Sequence, residues 1–176
     1  MNKLKEMYYN IGFKITWKLI YVGLYGKSYI SPQISRNDVF VYLDHLLTIG
    51  HTQSENIIQI ICERDNPDKV DSLIQSLSDQ EDSAQQIQLR KWRAFLLSKT
   101  LSTLPSDPFQ GLLVLTEFWI DAGPFEDCPH IFPTKNTKKY FTQSTYNDLK
   151  NKNKIWLKNE IANIDLFETN LPSTPF

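Results

Sequence analysis

The sequence predicts an all-α fold, a single-domain bundle of seven or eight mostly antiparallel helices. Apolar residues recur at the spacing of one helix face almost throughout the chain, whereas the strict alternation typical of half-buried strands is nearly absent. Glycine occurs only six times, and several glycines directly follow a helical pattern, where helices commonly end. The short connections between patterns favour antiparallel neighbours.

Length and composition restrict the class of protein. A chain of 176 residues is long enough for one domain to bury a core without metal or disulfide support. We expect this domain to cover residues 1–170, with 171–176 as a flexible tail. The net charge of −1 provides no general attraction to nucleic acid or membranes. The sequence shows neither a signal peptide nor an apolar run near the ~20 residues that span a bilayer. We therefore expect a cytoplasmic protein with no nucleic acid or membrane partner.

Capping residues and stop signals predict the helices of the first half. Each of four helical patterns follows a residue or motif suited to the N-terminus of a helix. Gly26 and Gly50 are expected to end the first two of these helices. Cys62, at the end of an apolar run, is interpreted as a small buried residue. The expected capping residues are Thr16, the Ser35–Asp38 capping box, Ser54, and Asn66 with Pro67.

The second half predicts three further helices and one long loop. The first of these helices covers about 84–104. The next begins after Asp107 and is apolar nearly all round, so we expect it to be the central helix. It leads into a loop over 123–141, which is longer than most loops inside compact domains and is therefore expected to have a specific role. The last helix follows Thr142 or Ser144 as its cap.

Acidic residues are concentrated in one region. Residues 63–82 carry seven acids against Arg64 and Lys69, a balance of −5. Such a run is usually the solvated side of a helix, and the alternative is an acidic face that binds a basic partner. The candidate residues of this acidic face are Glu63, Asp65, Asp68 and Asp71.

The stretch Glu117–Pro133, EFWIDAGPFEDCPHIFP, is the most unusual part of the chain. We expect it to form a rigid loop in which an aromatic residue of the preceding helix packs into the core with its indole N–H bonded. The histidine ring is expected to hydrogen-bond a local carboxylate or backbone carbonyl, and an acid to accept backbone N–H groups in a turn. The candidate structural or interaction residues are Trp119, Asp121, Glu126, Asp127 and His130.

An enzyme or metal site in the same loop is the alternative interpretation. Cys128 and His130 form one ligand-like pair, but a zinc site needs four ligands at wider spacing. Glu126 and Asp127, as neighbouring loop carboxylates, give no reason to expect the desolvation that general acid–base chemistry uses. The sequence also carries no Gly-rich phosphate loop, nucleophile elbow, H-E-x-x-H or C-x-x-C motif. We therefore predict no catalytic residue, no cofactor and no metal ligand.

The order of these signals resembles an uncharacterised family of small, helical bacterial proteins. In that family a W-x-D segment leads through glycine and proline to E-D-x-P-H-I, and an aromatic pair with Thr-Gln follows. A closing helix then carries K-x-W. The matching segments of this chain are Ile30–Pro32, Lys91–Trp92, Trp119–Ile131, Tyr140–Gln143 and Lys154–Ile161. The chain departs from the family at Pro124-Phe125, where an aromatic residue usually precedes proline.

The resemblance implies a function as well as a fold. Some members of the family look like immunity proteins encoded beside polymorphic toxins. A non-enzymatic cytosolic binding protein that neutralises a cognate bacterial toxin domain by direct binding is therefore the leading hypothesis. The alternatives are an enzyme or metal-binding protein that uses the 117–133 loop, and a helical adaptor of unknown partner.

Overall fold

The computed structural model describes residues 2–50, 55–122, 126–133 and 140–169. These residues include eight α-helices and one π-helical turn, Met7–Ile11. The described ranges contain no β-strand, only an isolated bridge between Lys27 and Ile30. The predicted all-α fold with seven or eight helices is confirmed. The helices are α1 (Lys3–Glu6), α2 (Trp17–Tyr25), α3 (Arg36–Thr48), α4 (Glu55–Cys62), α5 (Pro67–Gln80), α6 (Gln85–Ser102), α7 (Pro108–Asp121) and α8 (Gln143–Thr169).

Local capping chemistry begins the helices where the sequence predicts. The Thr16 hydroxyl accepts a hydrogen bond from Leu19 N at 3.1 Å, and Ser35 and Asp38 make the reciprocal bonds of a capping box. Each such bond satisfies a backbone donor that the helix itself leaves unpaired, and each stabilises the fold by about 1 kcal/mol. The same kind of hydrogen bond, from the backbone N–H of the third following residue to the capping side chain, occurs at Asn66, Asp107 and Thr142.

Some predictions fall outside the described part of the chain. Ser54, parts of the predicted loop (123–125 and 134–139), and the tail 171–176 are among the residues that the structure does not describe. The proposed domain bounds, 1–170, therefore remain a prediction. Within the described ranges, no helix combines the length and the hydropathy that a bilayer span requires. α1, which Asn2 caps, was not predicted from the sequence.

The chain folds into two compact units, and the boundary between them lies inside α6. The first unit is Met1–Trp92 with Thr169–Phe176, and the second is Arg93–Glu168. In the first unit, Trp92 is fully buried and its indole N–H donates to Leu19 O at 2.9 Å. Gly23 lies directly against that ring, so a Cβ there would clash with Trp92. The indole therefore requires a residue without a side chain on α2.

In the second unit, α7 has one buried side and one exposed side. Leu112, Leu115 and Trp119 are buried, whereas Phe109 and Ile120 are more than half exposed. α7 is therefore not buried all round, although its apolar sequence is typical of a fully buried helix. An apolar sequence all round a helix permits complete burial, but only the side that meets neighbouring helices is covered.

Cys62 is also placed differently from the prediction. It is exposed on α4, whereas Ile57 and Ile60 of the same helix are fully buried. At about 100° per residue, Cys62 lies on the opposite side of the helix from these two isoleucines. An apolar run therefore did not indicate which of its members face the core.

Replacing Gly23 by alanine tests the close approach of α2 to Trp92. Alanine gains about 1 kcal/mol in helix propensity, but overpacking a dense core costs about 1–3 kcal/mol. We expect Gly23→Ala to lower the free energy of unfolding by about 1 kcal/mol in urea titrations. Asn151→Ala, an exposed position in α8, is the control and should be neutral or slightly stabilising. A more stable Gly23→Ala protein would contradict the packing.

Candidate functional site

A buried histidine attaches the loop 126–133 to α7. His130 is 5% exposed, and its Nε2 lies 3.0 Å from Thr116 Oγ1 and 3.0 Å from the Tyr140 hydroxyl oxygen. The prediction of a local carboxylate or backbone carbonyl as partner of this ring is wrong. The partners are two hydroxyls, one on α7 and one just before α8.

The positions of the protons in this cluster follow from the donors available. Thr116 Oγ1 lies 2.7 Å from Leu112 O, so its hydroxyl proton is donated to that carbonyl and its oxygen can only accept. Nδ1 of His130 has no hydrogen-bond partner in the described residues. A buried N–H without an acceptor costs more than an unused lone pair. We therefore assign the proton to Nε2, which donates to Thr116.

Burial keeps the imidazole uncharged. Removal from water lowers the pKa of His130 from 6.5 to about 4. A ring that is neutral at pH 7, with its Nε2 proton committed to hydroxyls, serves as a hydrogen-bonded bridge between the loop and α7. It is not presented to solvent as a base.

A second side chain attaches the same loop to α8. Asp127 Oδ2 accepts a hydrogen bond from Trp156 Nε1 at 3.0 Å. This partner lies 29 residues away in the sequence, whereas the predicted role was a local turn contact. His130 and Asp127 thus attach the loop to two different helices.

Trp119 occupies the core position that the sequence predicts. It is 1% exposed, and its indole N–H donates to Asn153 Oδ1 at 2.6 Å. The Trp156 ring packs edge-on against it at 5.1 Å between centroids. Asn153 in turn donates to Leu149 O at 2.8 Å, so both polar groups of this buried amide are used.

Two buried charged residues near the loop were missed in the sequence. Arg93 and Glu160 are both almost fully buried and form an ion pair at 3.2 Å, and the Arg93 guanidinium also lies over the Trp156 ring. The sequence of α8 did contain an indication of buried polar contacts. Asn153 and Glu160 occur at spacings of three and four from its apolar inward positions, where a polar residue indicates a buried partner.

Among the described residues, the remaining loop candidates form no hydrogen bond with the imidazole. Asp121 and Glu126 are exposed, and the hydrogen-bond partners of His130 are Thr116 and Tyr140. Cys128 is half-buried, with Sγ 3.9 Å from His130 O, and burial raises the pKa of its thiol. In the part of the chain that the structure describes, no three His, Cys, Asp or Glu side chains are grouped to hold a metal ion.

The acidic face predicted on residues 63–71 is partly neutralised within the protein. Glu63 forms an ion pair with Lys69, and Asp71 forms one with Arg36 through two guanidinium nitrogens. Hydrogen bonding from Arg36 lowers the pKa of the Asp71 carboxyl. The other two acids of this face, which remain exposed, are Asp65 and Asp68.

The buried imidazole predicts how stability depends on pH. As the pH falls from 6.5 towards 4, the unfolded chain binds a proton at His130 and the folded chain does not. Stability is therefore complete above pH 6.5 and falls across this window, by roughly 3 kcal/mol from this group. Urea unfolding followed by tryptophan fluorescence at a series of pH values measures the loss.

Two variants isolate the contribution of His130. His130→Gln keeps a donor for Thr116 but cannot titrate, so its stability should decrease less steeply than that of the wild type over this window. Asn151→Ala, at an exposed position of α8 that carries no titratable group, should leave the wild-type slope unchanged. Equal slopes for His130→Gln and the wild type would contradict a buried neutral imidazole.

Comparison with known proteins identifies the family. Searches of the curated proteins and of the solved structures gave no significant match. A family model described as "Uncharacterized protein conserved in bacteria (DUF2247)" matches residues 6–161, which include α7, the loop and most of α8. The match spans most of the chain and confirms the resemblance to an uncharacterised bacterial family, so the chain belongs to the DUF2247 family.

Proposed function

We propose that this protein is a non-enzymatic binding protein, and specifically an immunity protein that neutralises a cognate bacterial toxin domain by direct binding. One observation carries the binding role. The loop 126–133 turns its histidine inward and its large apolar side chains outward. His130 is 5% exposed, whereas Ile131 and Phe132 are 57% and 43% exposed.

This arrangement is the reverse of what a catalytic loop needs. A reacting side chain has to reach its substrate, but the imidazole of His130 and the carboxylate of Asp127 both bind groups of the same protein. The exposed parts of Ile131 and Phe132 lie side by side on the loop, and a contiguous exposed apolar patch is typical of a surface that another protein covers. The loop is therefore held in place by its polar residues and offers its apolar residues to a partner.

The identity of the partner as a toxin rests on the family resemblance. Some members of the family look like immunity proteins encoded beside polymorphic toxins, and we extend that role to this protein. Neutralisation by occlusion needs a rigid apolar contact surface. The two attachments of the loop, to α7 and α8, provide that rigidity.

Co-expression with the product of the adjacent gene tests this function. We expect the adjacent product to arrest growth when produced alone, and this protein to restore growth and to co-purify with it. An adjacent product that is harmless, or that does not bind, would remove the proposed function.

A matched pair of variants tests the contact surface. Ile131→Asp places a charge where the partner is expected to bury an apolar side chain, so affinity should fall by at least about tenfold, or about 1.4 kcal/mol. Ile155→Asp, at a 53% exposed isoleucine of α8, should change affinity by less than about twofold. Calorimetric titration of the purified partner measures both. Equal affinities for the two variants would exclude the loop from the contact.

A further inference from the structure

We infer that the partner docks on the outer side of α7 beside the loop, and that it presents a positively charged rim around an apolar centre. This inference rests on the proposed binding function and adds the chemistry of the partner. Three features of the second unit carry it: an exposed apolar stripe, its continuity with the loop, and a group of acids without basic partners among the described residues.

The exposed stripe runs along α7. Phe109, Leu113 and Ile120 are separated by four and seven residues, which places them on one side of the helix. They are 51%, 36% and 63% exposed. The buried Leu112 and Trp119 lie about a quarter turn round the helix from this stripe, and the buried Leu115 lies further round. The stripe is thus the part of an apolar helix that the described fold leaves uncovered.

Ring contacts connect this stripe with the loop. The Phe109 ring packs against Phe141 at 4.7 Å, and Phe141 packs against Tyr140 at 5.0 Å. Tyr140 binds His130, and the His130 ring lies 5.3 Å from that of Phe132. A row of ring contacts therefore links the exposed Phe109 to the exposed Phe132 through the buried Tyr140 and His130.

Acidic side chains accompany this apolar surface. The stretch Glu117–Pro133 contains four acids and no lysine or arginine. All four are exposed, and none forms an ion pair with a described residue. On the face at 63–71, by contrast, two of the four candidate acids are already paired. The four acids beside the apolar surface are Glu117, Asp121, Glu126 and Asp127.

This charge pattern selects among possible occupants. A nucleic acid or an anionic membrane would be repelled by the four carboxylates. A second copy of this chain, docked through the same surface about a twofold axis, would bring two sets of the same acids together. A protein with lysine or arginine around an apolar centre pairs with these acids and is attracted to the surface before contact.

Association kinetics with the purified product of the adjacent gene test the inference. The double variant Glu117→Lys with Asp121→Lys reverses two charges next to Ile120, and lysine at the end of α7 suits the helix dipole. We expect its association rate constant to be about tenfold lower than that of the wild type. Raising NaCl from about 50 to about 200 mM should slow association of the wild type but should have little effect on the variant.

Asp65→Lys with Asp68→Lys is the matched control, since it changes the net charge equally at two exposed acids of the first unit. Its association rate should stay within about threefold of the wild type, because only the total charge has changed. The neutral double variant Glu117→Gln with Asp121→Asn removes both charges with little change of shape. It should slow association by about threefold, so the inference can still be tested if the lysine variant misfolds.

The outcomes separate this inference from the proposed function. No binding by the wild type would remove both. Binding by the wild type with unchanged kinetics in the Glu117/Asp121 variants would overturn the inference alone. A larger effect of the Asp65/Asp68 variant would also overturn it, and would place the contact on the α4–α5 acids.

Discussion

The second unit is organised around one constraint, the burial of a neutral imidazole among hydroxyl groups. His130 has no counter-charge, so its ring is stable only if its N–H finds a neutral acceptor, and Thr116 provides one. Thr116 is fixed for this role because its own proton is donated to Leu112 O. Once His130 is inside, Ile131 and Phe132 next to it lie at the surface. The burial of the histidine therefore fixes which side chains the loop presents to solvent.

Buried polar groups set the position of α8 in a similar way. Asn153 accepts from the Trp119 indole, and Glu160 binds Arg93, so a shift of α8 along its axis would break both contacts. The net stability of a buried ion pair is small after desolvation, but leaving one partner buried alone costs about 3–5 kcal/mol. These groups select one register of the helix rather than adding much stability.

The sequence predicted what depends on neighbouring residues and failed where distant residues decide. Thr16, Asn66 and Asp107 cap helices as expected, because a cap involves groups only three residues apart. The hydroxyl partner of His130 is 14 residues away and the indole partner of Asp127 is 29 residues away, so neither contact appears in the local pattern. Which side of α7 is buried also depends on contacts with residues that are distant in the sequence, so the apolar pattern of the helix did not predict it.

The two groups of acids differ in whether they form ion pairs within the protein. Asp71 binds Arg36 and connects α5 with α3, so it has a structural task. Glu117 and Asp121 have no such partner among the described residues, and exposed carboxylates of this kind change stability by only a few tenths of a kcal/mol. Beside them, Ile120 is more than half exposed, although an apolar side chain gains from burial. A partner with an apolar centre and a basic rim, as we propose, would cover this isoleucine and pair with these acids.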